Sequence, residues 1–254
     1  MTHSLKSVFS HFFILFFITI SFTSCSPIWL KFSGVLDEAP KLKVIESNDK
    51  KVVYLPLHHI GRKEYYKDMA DKIDSFNRNG FVTFYEMVNT ELTDTAEYML
   101  LAKKFRKIQG DFDAGNGYLD TINHTIMGTI KYNKKYDLIN QPSFLDMNLD
   151  TLTAVNADVT LEELLAAFEK EHGEVKLDQC DLDTPLQDEY TCNGVSKKLR
   201  KAFGNDYALE FRNENLAQEI HESTANKIFV IYGARHFKGL FKNLRALDTS
   251  WKKS

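Results

Sequence analysis

Two histidines sit at the ends of apolar runs, with most of the chain between them. His59 closes KVVYLPLHHIG, residues 51–61, and His236 lies in KIFVIYGARHFKG, residues 227–239. Each run is short, rich in β-branched and aromatic residues, and ends in polar residues and glycine, which is a strand signal. Loops that follow the strands of an α/β sheet converge at one edge, so residues at strand ends are the ones that meet. Glu86 ends a third such run, FVTFYEMV, residues 81–88. A carboxylate in so apolar a run is costly to bury without a partner. Arg212 lies on the helix that feeds the strand before His236. Two imidazoles and a carboxylate (His59, His236 and Glu86) suit a divalent transition metal such as Mn, Co or Zn. A site of that kind keeps a position open for water and lowers its pKa. Glu86 would act there as ligand or as general base. Arg212 would pair with the carboxylate or hold the oxyanion of a tetrahedral intermediate. One strand-end histidine alone is usually a loop residue that caps a backbone group, so the argument rests on the set.

The elements that must position these residues alternate along the chain. Residues 62–78 read as a helix, with Tyr65, Met69, Ile73 and Phe76 on one face and Gly80 suited to a left-handed cap after it. Strand, helix, strand makes a crossover unit, so strands 52–57 and 81–86 are expected as parallel neighbours, with Glu86 at the same end as His59. A helix over 92–108 would turn Ala96, Met99, Leu100, Phe105 and Ile108 inward. Residues 111–117, DFDAGNG, form an oxygen-rich loop without the terminal Glu of a calcium loop. In the helix over 158–172, Thr160 and Glu163 form a capping box. Asp158 is assigned to capping that helix, with a place in the site as the alternative. Helices near 195–203 and 206–225 precede the strand 228–232, and a helical tail covers 240–247. The fold class is α/β: a single domain with a mostly parallel central sheet flanked by helices, and the site at the C-terminal ends of the strands.

The chain has 254 residues and a net charge of −3, with acids and bases interspersed. No basic stripe exists, which argues against a nucleic-acid partner. Residues 1–24 hold one Lys, no acid and the run FFILFFITISF, the layout of a secretory signal. Thr23-Ser24-Cys25 then resembles a lipobox, with Phe22 where Leu is usual. Lipidated Cys25 would make residues 25–50 a tether and residues 51–254 the α/β domain. The alternative is an uncleaved anchor, since the 19 residues from Phe12 to Leu30 are long enough to span a bilayer. Either reading tethers the domain to a membrane on its extracytoplasmic side. An oxidising compartment permits a disulfide between the remaining pair, Cys180 and Cys192.

The motifs together resemble the TraB/PrgY/GumN/TIKI superfamily, related to ChaN-like and erythromycin-esterase-like proteins. His59 matches the histidine of its first motif, Glu86 the glutamate that ends the next strand, and Arg212-Asn213 its late Arg-Asn pair. His236 matches the histidine of the closing motif, within Gly233-Ala234-Arg235-His236, and Gly239 the glycine after it. Pro56-Leu57 stands where the family has Gly-Thr. The resemblance spans roughly residues 51–247. It implies metal-assisted peptide hydrolysis, as described for the TIKI branch, with a peptide or protein substrate. His59, His236 and Glu86 would hold the metal or activate water, and Arg212 would steady a carboxylate or the transition state. The ChaN-like relatives imply the alternative, a haem- or metal-binding lipoprotein without turnover.

Overall fold

A central sheet buried on both faces organises the chain. The computed structural model describes residues 30, 32–110, 118–126 and 130–254. The signal segment 1–24, Cys25 and the oxygen-rich loop 111–117 lie outside the described residues. Among the described residues no helix is long and apolar enough to cross a membrane.

The chain enters through β1 (Lys43–Glu46), β2 (Lys51–Leu57) and β3 (Ile60–Arg62). Helix α1 (Lys63–Arg78) then leads into β4 (Val82–Tyr85), and α2 (Thr95–Gln109) follows. Short strands β5 (Leu119–Asp120), β6 (Thr125–Ile126) and β7 (Ile130–Lys131) form a small meander. Strand β8 (Leu138–Asn140) pairs with β3, and β9 (Val155–Asn156) joins the main sheet. Helices α3 (Leu161–His172), α4 (Gln179–Asp183) and α5 (Lys197–Ala202) come next. A π-helical stretch, Phe203–Phe211, continues directly into α6 (Arg212–Glu222). Strand β10 (Lys227–Gly233), α7 (Phe237–Leu247) and β11 (Lys252–Lys253) close the chain.

The main sheet has six strands in the order β11-β1-β2-β10-β4-β9. Strands β2, β10, β4 and β9 run parallel, and β1 and β11 extend the edge antiparallel. The fold is therefore the mixed α/β architecture expected, with a mostly parallel sheet flanked by helices. One expectation is corrected. Strands β2 and β4 are parallel but not neighbours, because β10 lies between them and pairs with both. The crossover through α1 skips a position, and the last long strand fills it. That insertion brings His236, at the end of β10, between the ends of β2 and β4.

Alternate residues of the strands pack on opposite faces. Tyr54, Val230 and Tyr232 meet Leu216, Ile220, Leu240 and Leu244 of α6 and α7. Val53, Leu55, Phe229 and Ile231 meet Tyr65, Met69 and Ile73 of α1. Full burial on both faces explains why β2 and β10 read as unbroken apolar runs rather than alternating ones. Pro56 costs no ladder bond to β1, because that pairing ends at Tyr54.

Two helix expectations also change. Helix α2 starts at Thr95, where the Asp94 side chain accepts from the N–H groups of Ala96 and Glu97. Ala96 and Leu100 are exposed, whereas Ala102, Arg106 and Ile108 are buried. Arg106 takes a core position because its guanidinium serves carbonyls, donating to Pro185 O at 2.6 Å and Thr184 O at 2.7 Å. Those carbonyls lie in the loop closed by the Cys180–Cys192 disulfide. The two helices expected over 195–225 are one continuous helical run, widened to π geometry in the middle.

Candidate functional site

The strand ends bring three of the four expected residues together and add one assigned elsewhere. Glu86 follows β4 directly, held by its own N–H donating to Ile231 O at 3.1 Å. Its Oε1 receives Arg212 Nη2 at 2.5 Å, and its Oε2 receives the Gly233 N–H at 2.5 Å. Gly233 eases this approach: a Cβ there would stand 3.0 Å from Glu86 Oε2, tighter than ordinary contact.

Asp158 is the residue misassigned by sequence. It does not cap α3; Thr160 does, with Glu163 completing the capping box. Asp158 instead grips Arg212 through two bonds, Nε to Oδ1 at 2.8 Å and Nη2 to Oδ2 at 2.6 Å, with its side chain 0% exposed. The clue lay in that capping box, which is complete without Asp158 and leaves a spare carboxylate two residues upstream.

The Nε and Nη2 side of the Arg212 fork is thus fully used. Its Nη1 donates to Ala208 O at 3.2 Å, inside the π stretch. Such stretches mark functional sites often, and here the stretch ends where Arg212 begins. Burial opposes the charge on Arg212, but the Asp158 hydrogen bonds, with the charges facing it, outweigh burial and raise its pKa. The guanidinium also lies 5.5 Å from the centre of the Tyr232 ring. Tyr232 is buried, which raises its hydroxyl pKa, and Asp158 raises it further.

His236 packs edge-on against Tyr232, with ring centres 4.8 Å apart. Its Nδ1 is 2.8 Å from Asn213 Oδ1, and its Nε2 is 3.7 Å from Glu86 Oε1. The loop carrying it is pinned by Tyr54, whose hydroxyl donates to Gly233 O at 2.7 Å, and by Ala234 N–H donating to Leu57 O at 3.0 Å. Burial pushes the His236 pKa down to about 3, and the Arg212 charge adds to the effect. His236 is therefore neutral at physiological pH, with an unprotonated ring nitrogen.

His59 stands apart. It is exposed, and its ring stacks on Tyr118 at 4.7 Å. It is near enough to His236 to help lower that imidazole's pKa. His58 points away, half-buried against Tyr65 and beneath Gly34.

The fit to a divalent metal is incomplete in this arrangement. Among the described residues no three His, Cys, Asp or Glu side chains come together as a ligand group. The oxygen of Glu86 nearest His236 already carries the Arg212 guanidinium. A divalent ion on that oxygen would sit against a fixed positive charge at short range, in a buried site where repulsion is little screened. His59, His236 and Glu86 remain the residues that would hold a metal, and Arg212 would first have to move.

No family model matches the chain, and no curated protein and no solved structure matches it.

Two outcomes follow. Arg212→Met leaves two carboxylates facing each other without a counter-charge, so urea unfolding will show a loss of about 3–5 kcal/mol. His236 has an ordinary pKa of 6.5 and a folded value of about 3. Between these values the unfolded chain binds a proton that the folded chain does not. Its contribution to stability is therefore whole above 6.5 and declines as pH falls toward about 3. Urea midpoints across that window will fall less steeply in His236→Asn than in the wild type.

Proposed function

We propose that this protein is a membrane-tethered, extracytoplasmic hydrolase that cleaves peptide bonds by activating water between His236 and Glu86. The observation that carries the reading is the facing pair itself, a neutral imidazole Nε2 and a carboxylate oxygen 3.7 Å apart at the ends of β10 and β4. A water donating one proton to each, at about 2.8 Å from both, completes a triangle on that base. Its oxygen lone pair then faces outward, toward a substrate carbonyl.

In the attack, the water oxygen bonds to the carbonyl carbon as one of its protons passes to His236 Nε2. The imidazolium so formed is stabilised by Glu86 beside it and by Asn213 Oδ1 on its other nitrogen. The same proton then goes to the leaving amine as the carbon–nitrogen bond breaks. The Nε and both Nη2 hydrogens of Arg212 are taken by Asp158 and Glu86, so its part is to hold Glu86 in place. His59, exposed at the same edge of the sheet and stacked on Tyr118, is the imidazole open to solvent. A bound divalent ion would supply Lewis-acid chemistry to this set.

The membrane tether rests on the N-terminal sequence, and the peptide substrate on the family resemblance. The test is cleavage of a mixed peptide library followed by mass spectrometry, with metal content measured on the same sample. Glu86→Gln and His236→Ala will each lower turnover by about 10²-fold or more. A binding protein would cleave nothing in any form. Stoichiometric metal in an active preparation, with activity lost on chelation, would replace the water-only reading with a metal-assisted one.

A further inference from the structure

Beyond the pair that faces the water lies a second layer, reached through Asn213. Asn213 touches His236 through Oδ1, and its other amide atom, Nδ2, faces Glu210 Oε2 at 3.3 Å. Glu210 in turn accepts from Lys242 Nζ at 2.6 Å through Oε1. A line of bonds thus runs from an exposed lysine, through a carboxylate and an amide, to the imidazole.

The chemistry of each member fixes the next. A carboxylate beside a lysine is an acceptor and cannot donate. The amide atom turned toward Glu210 must therefore be the NH₂ group. That leaves the Asn213 carbonyl oxygen facing His236, and a carbonyl accepts only. Nδ1 of His236 must then carry the proton, and Nε2, the nitrogen facing Glu86, must carry the lone pair. Reverse the amide and the proton moves to Nε2, where it would point at Glu86 and leave the imidazole no lone pair to take a proton from water. We infer that Glu210 is a positioning residue that sets the His236 tautomer by fixing the orientation of the Asn213 amide.

Two further observations fit this role. The Lys242 hydrogen bond holds the Glu210 carboxyl below its usual pKa, with burial opposing and Asn213 adding to the effect, so the acceptor persists. Gly239 leaves the amide its place: a Cβ there would be 2.0 Å from Nδ2 and 2.7 Å from Cγ. Any side chain at 239 would displace the amide from its position between Glu210 and His236. The tautomer assignment is independent of the hydrolase reading; only its catalytic consequence rests on that reading.

The test is nitrogen NMR of ¹⁵N-histidine-labelled protein near pH 8, with His236 assigned by comparison with His236→Asn. Two-bond proton–nitrogen patterns distinguish the two neutral tautomers without any substrate. The wild type is expected to show one form, protonated at Nδ1. A hydrogen bond to a charged acceptor biases the amide about tenfold or more, so Glu210→Ala will show a mixture of tautomers, and Glu210→Lys will favour the form protonated at Nε2. Glu210→Gln, which can still accept, will restore the wild-type form. On any peptide the protein cleaves, Glu210→Ala will lower kcat with KM unchanged, and Glu210→Gln will recover it. A wild-type signal protonated at Nε2, or an unchanged tautomer in both folded Glu210→Ala and Glu210→Lys, overturns the inference. Loss of cleavage alone in the wild type would contradict the hydrolase reading and leave the tautomer result standing.

Discussion

The site depends on one buried guanidinium. Arg212 binds Asp158 just after β9 and Glu86 at the end of β4, and both carboxylates are almost wholly shielded from water. Neither anion would stay in so apolar a place without it. The pairing also explains the local backbone. The π stretch before Arg212 sets where the side chain emerges and supplies the Ala208 carbonyl that accepts from Nη1. The close turn at Gly233 lets the backbone bind the other face of Glu86. With Glu86 fixed from both sides, its remaining edge faces the imidazole of His236.

The fold serves this arrangement through the strand that arrives last. β10 pairs with β2 on one side and β4 on the other, buried from Ile228 to Tyr232. It carries Tyr232 beneath Arg212 and delivers His236 directly opposite Glu86. The disulfide loop, anchored on Arg106, is remote in sequence from these residues and acts on the packing of α2 and α4.

Much of this was legible because strand ends announce themselves. Glu86 and His236 stand out as polar residues closing fully apolar runs, and the Arg212-Asn213 pair precedes the last such run. The strand order was not legible: nothing local says that β10, rather than β4, will lie beside β2, because parallel pairing joins distant segments. Asp158 was assigned to the nearer use, the helix two residues on, although Thr160 already filled it. Arg106 sits at helical spacing like a surface residue, and only the carbonyls of a remote loop make its burial tolerable. His59 shows the converse. Its place after a strand is right for the site edge, yet its ring stacks on Tyr118 rather than joining Glu86, a preference that arises from a meander the sequence did not disclose.

The central claim is that a water molecule held by His236 and Glu86 attacks a peptide carbonyl. The most direct measurement is cleavage of a peptide library by the purified protein in ¹⁸O-water, with product masses read beside those from the His236→Ala variant. The account predicts one ¹⁸O atom in each newly formed C-terminal carboxylate with the wild type and none above background with the variant. Equal labelling by both proteins, or no cleavage by the wild type, would contradict it.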